Sequence, residues 1–76
     1  MANYLGEYVA HLHALGRAEA TIQAYRETLA RIDRELPLGL AAAHADELQT
    51  WLHTGVRSAA TLNLYRTIVR AFFAWA

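Results

Sequence analysis

The sequence contains no cysteine, which excludes a disulfide scaffold and a thiolate zinc site. It contains no lysine either, so seven arginines carry all the fixed positive charge against seven carboxylates. A formal net charge of zero argues against a strongly basic, self-sufficient nucleic-acid binder. Proline occurs once, at Pro37, so little interrupts the helical patterns. No apolar run approaches the roughly 18–20 residues needed to span a bilayer. The opening Met1-Ala-Asn-Tyr-Leu-Gly-Glu7 lacks the basic start and apolar core of a secretory signal, so the expected location is cytoplasmic. A Gly-rich phosphate loop is also missing, and no Ser, His and Asp set is suggested by spacing.

What is present is apolar residues at helical spacing. With 76 residues, 55% of them hydrophobic, the chain is expected to form one folded domain over 1–76. Tyr4, Leu5, Tyr8, Val9, Leu12 and Leu15 make the first stripe, giving a helix over 4–15 with Asn3 as N-cap and Gly16 as stop. Ile22, Tyr25, Leu29, Ile32 and Leu36 make the second, a helix over 19–35 halted by Pro37. Its outer face carries Gln23, Arg26, Glu27, Arg31 and Arg34, with Glu27–Arg31 and Glu27–Arg34 expected as the pairs of a solvated face. The stretch 38–44 reads as a crossing loop pinned by Leu38 and Leu40. A third helix over 45–53 turns Leu48, Trp51 and Leu52 inward and places Asp46 and Glu47 where acid complements the helix dipole. Gly55 stops it, Val56 and Arg57 follow, and Ser58 caps a fourth helix over 59–75. The fold class is therefore all-α, a compact four-helix orthogonal or bundle-like domain.

The fourth helix organises the rest. Residues 57–76 hold three arginines and no acid. Leu62, Leu64, Tyr65, Ile68, Val69, Phe72, Phe73 and Trp75 share one broad half, marking this as the central helix. Asn63, Arg66, Thr67 and Arg70 share the other. Arginine suits guanine edges and phosphates, Asn suits adenine, and Thr suits phosphate or a thymine methyl. The same pattern also describes an ordinary solvated face, and arginine in place of lysine is what a GC-rich coding sequence yields. Arg17, Arg26 and Arg57 are candidate phosphate contacts near helix starts. His11, His13, His44 and His53 do not converge by spacing, so no metal or cofactor is expected. The four tyrosines lie on apolar stripes and read as core, not as nucleophiles. Phe73 and Trp75, at the end of the chain, read as core or as a contact to a further domain or a neighbouring protomer.

Five pieces of the sequence, taken in order, resemble the N-terminal core-binding domain of phage integrases and other tyrosine recombinases. They are Tyr4-Leu5-x-x-Tyr8-x-x-x-Leu12 with Gly16; Thr21-Ile22-x-x-Tyr25-x-x-x-Leu29; Asp46-Glu47-Leu48-x-x-Trp51-Leu52; Gly55-x-x-Ser58-x-x-Thr61-x-Asn63; and Val69-x-x-Phe72-Phe73-x-Trp75-Ala76. The resemblance implies a SAM-like four-helix domain on one side of a double-stranded DNA duplex, its second and fourth helices approaching the major groove. It implies as DNA-binding candidates Thr21 and Arg26 on the second helix, Thr61, Asn63, Arg66 and Arg70 on the fourth, and Arg57 before it; Thr67 lies beside them. It further implies other recombinase protomers as partners, and a separate catalytic domain of the same parent chain with the tyrosine nucleophile. These residues would then be a non-catalytic part of a larger recombinase. The sequence departs from the family in carrying Ala18 where Ser or Thr often caps the second helix, in starting the third helix near His44, and in its sparse basic residues. A helical protein–protein interaction module without a nucleic-acid role, favoured by the zero net charge, is the other function these residues fit.

Overall fold

Four helices account for most of the computed structural model, which describes residues 4–54 and 58–76: α1 (Tyr4–Ala14), α2 (Glu19–Glu35), α3 (Ala45–His53) and α4 (Ala59–Trp75). There is no strand among the described residues. The predicted bounds hold for α2, α3 and α4, while α1 ends one residue early. The chain folds into a slab of 32 × 30 × 18 Å. Asn3, Gly55, Val56 and Arg57 lie outside the described residues, and with them the expected first cap and third stop.

The end of α1 is a Schellman turn. The Gly16 N–H donates to the His13 carbonyl at 3.0 Å and the Arg17 N–H to the Leu12 carbonyl at 3.2 Å, with Gly16 at φ +74°. That closure satisfies carbonyls the helix would otherwise leave open. It also takes Leu15 out of the helix and leaves it 56% exposed, against its place on the expected stripe. At the start of α2, Ala18 takes the extended N-cap conformation without a side-chain bond. Glu47 closes the start of α3 by accepting the His44 N–H at 3.0 Å. Ser58 Oγ accepts the Thr61 N–H at 3.1 Å, the expected cap of α4.

The core is formed by Tyr8 and Leu12 of α1, Ile22, Leu29 and Ile32 of α2, Leu40 of the crossing loop, Trp51 and Leu52 of α3, and Ile68, Val69 and Phe72 of α4. The fourth helix is central as expected: it packs on α2 and α3, and its rings meet α1. Phe72 and Tyr8 meet in a T-shaped pair at 5.3 Å between centroids, and Phe72 lies 5.8 Å from Tyr4. Trp75 packs on Tyr8 at 5.1 Å and on His11 at 6.0 Å. Trp75 is thus engaged within this domain.

Two leucines depart from expectation. Leu38 is 69% exposed while Leu40 is fully buried, so one leucine pins the crossing loop, not two. Leu64 is 46% exposed because it sits at the margin of the apolar half of α4.

Asp33, which no sequence pattern singles out, ties α1, α2 and the crossing loop together. Its Oδ1 accepts from the Tyr4 hydroxyl and from the Leu40 N–H, the latter at 2.8 Å. Burial, then the bond to the Asp33 carboxylate, pushes the Tyr4 phenol up to about 12. The same two donors hold Asp33 below the ordinary carboxylate range, Tyr4 first and Leu40 second. Gly39 lets the loop pass: its φ is +77°, and a Cβ there would stand 2.9 Å from Asp33 Oδ1. Glu35 does a similar job two residues on, accepting from Trp51 Nε1 at 2.8 Å and from Arg31 Nε at 2.9 Å.

Candidate nucleic-acid interface

Helix α4 displays its polar residues because its other sides are used up. At roughly 100° per residue, the buried Ile68, Val69 and Phe72 define one side. Asn63, Thr67 and Arg70 fall within an arc of about 60° on the opposite side, and all three are exposed. Arg66 lies at the edge of that arc toward α3 and is half-buried. Thr67 donates its hydroxyl to the Asn63 carbonyl at 3.0 Å, which leaves its oxygen lone pairs outward and fixes its rotamer.

Thr61 does not join them. It is half-buried, lies about 160° around the helix from Asn63, and its Oγ1 accepts from Ser58 Oγ at 2.9 Å. It belongs to the cap of α4.

Between α3 and α4 runs a groove of 170 Å³ lined by Ala45, Leu48, Gln49, Leu52, Arg66, Val69 and Arg70. Its floor is aliphatic and one wall carries two guanidiniums. Arg66 approaches His53 Nε2 at 3.4 Å. A guanidinium only donates, so this contact requires Nε2 to be the unprotonated nitrogen. Among the described residues no carboxylate pairs with Arg66 or Arg70.

The carboxylates of α3 explain why. Asp46 and Glu47 sit on the opposite side of α3, lining a separate groove of 420 Å³ with Glu35, Leu36, Pro37, Thr50, Trp51 and Thr54. The arginine arc of α4 is thus turned away from the acids of α3, whereas α2 carries both signs on one face.

The remaining cations are dispersed. Thr21 is exposed in the first turn of α2. Arg26 lies two turns into α2, not near its start, so the free amides of the first turn are out of its reach. Its Nη2 donates to Gln23 Oε1 at 3.0 Å, and Gln23 Nε2 donates to Glu27 Oε1 at 2.7 Å. Glu27 is thus bonded to Gln23, and Arg31 pairs with Glu35 four residues on, in place of the expected Glu27 pairs. Arg17 is exposed at the turn before α2. Arg57 lies outside the described residues. Gln49, which lines the groove, carries no signal in the sequence, and His53, which flanks it, stands out there only as one of four non-converging histidines; no periodicity marks a polar residue beside a cation on a neighbouring helix.

Among the described residues no group of three or more His, Asp or Glu side chains converges as a metal site would require. None of the described helices is long and apolar enough to cross a membrane. Residues 5–76 match the family model described as phage integrase, N-terminal SAM-like domain. Neither a curated protein nor a solved structure matches the chain.

Proposed function

The chain belongs to the family of phage integrase N-terminal SAM-like domains, and from that premise we propose that it holds the half-site duplex for a tyrosine recombinase. Strand cleavage and rejoining fall to a catalytic domain of the parent protein, and the partners are double-stranded DNA and other recombinase protomers. One observation supports this most: the exposed arc Asn63, Thr67 and Arg70, flanked by Arg66, faces away from the core and has no carboxylate partner among the described residues.

The chemistry suits a duplex. Arg66 and Arg70 are one helical turn apart and can each bond a phosphate or a guanine edge. Asn63 can take an adenine, and Thr67 presents a methyl and a hydroxyl oxygen. Thr21, Arg26 and Arg17 act as outlying contacts that orient the duplex without reading it, and Arg57 is a further phosphate contact. Thr61 serves through its cap, holding the first turn of α4 in place.

The test is a titration of duplex DNA into isotope-labelled protein, followed by amide shifts. The expected result is that Asn63, Arg66, Thr67 and Arg70 move most. Shifts confined to other surfaces overturn the assignment. Zero net charge favours a helical protein-interaction module as the second reading; absence of any duplex binding at low salt would support that one instead.

A further inference from the structure

The groove between α3 and α4 has two unlike surfaces. Its floor is aliphatic, from Leu48, Leu52 and Val69, while Arg66 and Arg70 stand on the α4 side and Gln49 on the α3 side. A bare anion gains nothing from an aliphatic floor, and an apolar ligand gains nothing from two guanidiniums. A sugar–phosphate unit matches both, since its deoxyribose face is largely carbon and its phosphate is a diffuse anion. The groove is also continuous with the exposed arc of α4, because Arg66 and Arg70 belong to both.

Resting on the duplex-holding reading above, we propose that this groove seats one deoxyribose-phosphate unit of the DNA backbone. The third helix is then part of the DNA-facing surface. Gln49 donates its amide to a phosphate oxygen. His53 is a positioning residue: its Nε2 lies 3.4 Å from the Arg66 guanidinium and, acting as acceptor, holds that guanidinium over the groove, sparing the rotamer entropy of fixing it on binding.

Ala45 offers the sharpest perturbation. It lines the groove, is exposed, and is the first residue of α3. An acid there complements the helix dipole and does not harm the fold, yet it puts a negative charge where the phosphate is to sit. The experiment measures duplex affinity of the 76-residue chain by fluorescence anisotropy, for the native sequence and for Ala45→Glu, His53→Ala, His53→Gln and Arg70→Ala, with thermal melts alongside.

The expected result is that Ala45→Glu melts no lower than the native chain but binds duplex about tenfold or more weakly, as one mispaired phosphate contact implies. His53→Ala should bind several-fold more weakly, and His53→Gln, whose amide oxygen can accept from Arg66, should recover most of the loss. Inorganic phosphate at matched ionic strength should not displace the duplex; displacement would reassign the groove to a free anion and overturn the proposal. If Arg70→Ala weakens binding while Ala45→Glu and both His53 variants bind as the native chain does, the groove assignment fails and the duplex-holding reading stands. If the native chain binds no duplex at all, both fall together.

Discussion

Removing the Asp33 carboxylate should cost this domain a large part of its stability. Asp33 Oδ1 is the shared acceptor of the Tyr4 hydroxyl and the Leu40 N–H, so Asp33→Ala leaves two donors without a partner. A hydrogen bond to a charged group contributes about 1.5–3 kcal/mol. Asp33 is half-buried, so water re-solvates part of what is exposed, and the expected loss is about 2–3 kcal/mol for the pair. A domain of this size has a total stability on the order of 4–11 kcal/mol, and the melting temperature should fall by about 10–20 °C. Tyr4→Phe removes one of the two bonds and should cost about 1 kcal/mol. Urea unfolding of both single variants and the double variant gives the coupling. The double should be less destabilised than the sum by about 0.5–1 kcal/mol, because the Tyr4 bond can be lost only once. Additive effects, or a loss under about 0.5 kcal/mol for Asp33→Ala, would refute the role assigned to this carboxylate.

Other consequences are open to similar measurement. Gly39→Ala should destabilise more than Gly16→Ala: both force a side chain to positive φ, about 1–2 kcal/mol, but only at Gly39 does the added Cβ collide, with Asp33 Oδ1 at 2.9 Å. Equal losses in chemical denaturation would contradict that geometry. Asp33 and Glu35 are both held below their ordinary carboxylate range, so their contribution is complete above about pH 4–5 and disappears as pH falls through their lower folded values. Acid unfolding followed by circular dichroism should therefore be shallower in Asp33→Asn, and an unaltered acid limb would count against the linkage. Trp51→Phe keeps a smaller ring against Tyr65 and loses the bond to Glu35 at 2.8 Å, so the unfolding midpoint should fall from lost packing and lost bond together; no change in the midpoint would place that bond outside the stability of the fold.

Much of the fold was legible because local signals agreed with tertiary ones. Gly16, Pro37 and Ser58 end or begin helices for reasons carried by each residue's own backbone, and the stripes centred on Tyr8, Ile22, Leu29, Ile68 and Phe72 need only helical periodicity. What was not legible depends on partners far apart in the chain. Asp33 sits 29 residues from Tyr4 and lies on no stripe. Leu38 and Leu40 are equally apolar, and only the passage of the chain over Asp33 decides that Leu40 goes in. Arg31 could pair with Glu27 or Glu35 by spacing alone, and the bond from Trp51 to Glu35 fixes that carboxylate where Arg31 meets it. The arginine arc of α4 was visible as a wheel pattern. Thr61 shared its sequence neighbourhood but not its direction, and the flanking Gln49 and His53 become part of the same surface only when α3 is laid against α4.

The account turns on whether the arginine arc of α4 meets DNA, and the salt dependence of duplex affinity tests this most directly. Each phosphate contact contributes a slope of about −0.9 in a plot of log affinity against log salt. Arg66→Ala with Arg70→Ala should weaken binding on every duplex and flatten that slope by about 2 relative to the native chain. A double variant that binds as tightly as the native chain, with the same slope, would show that the arc faces only water.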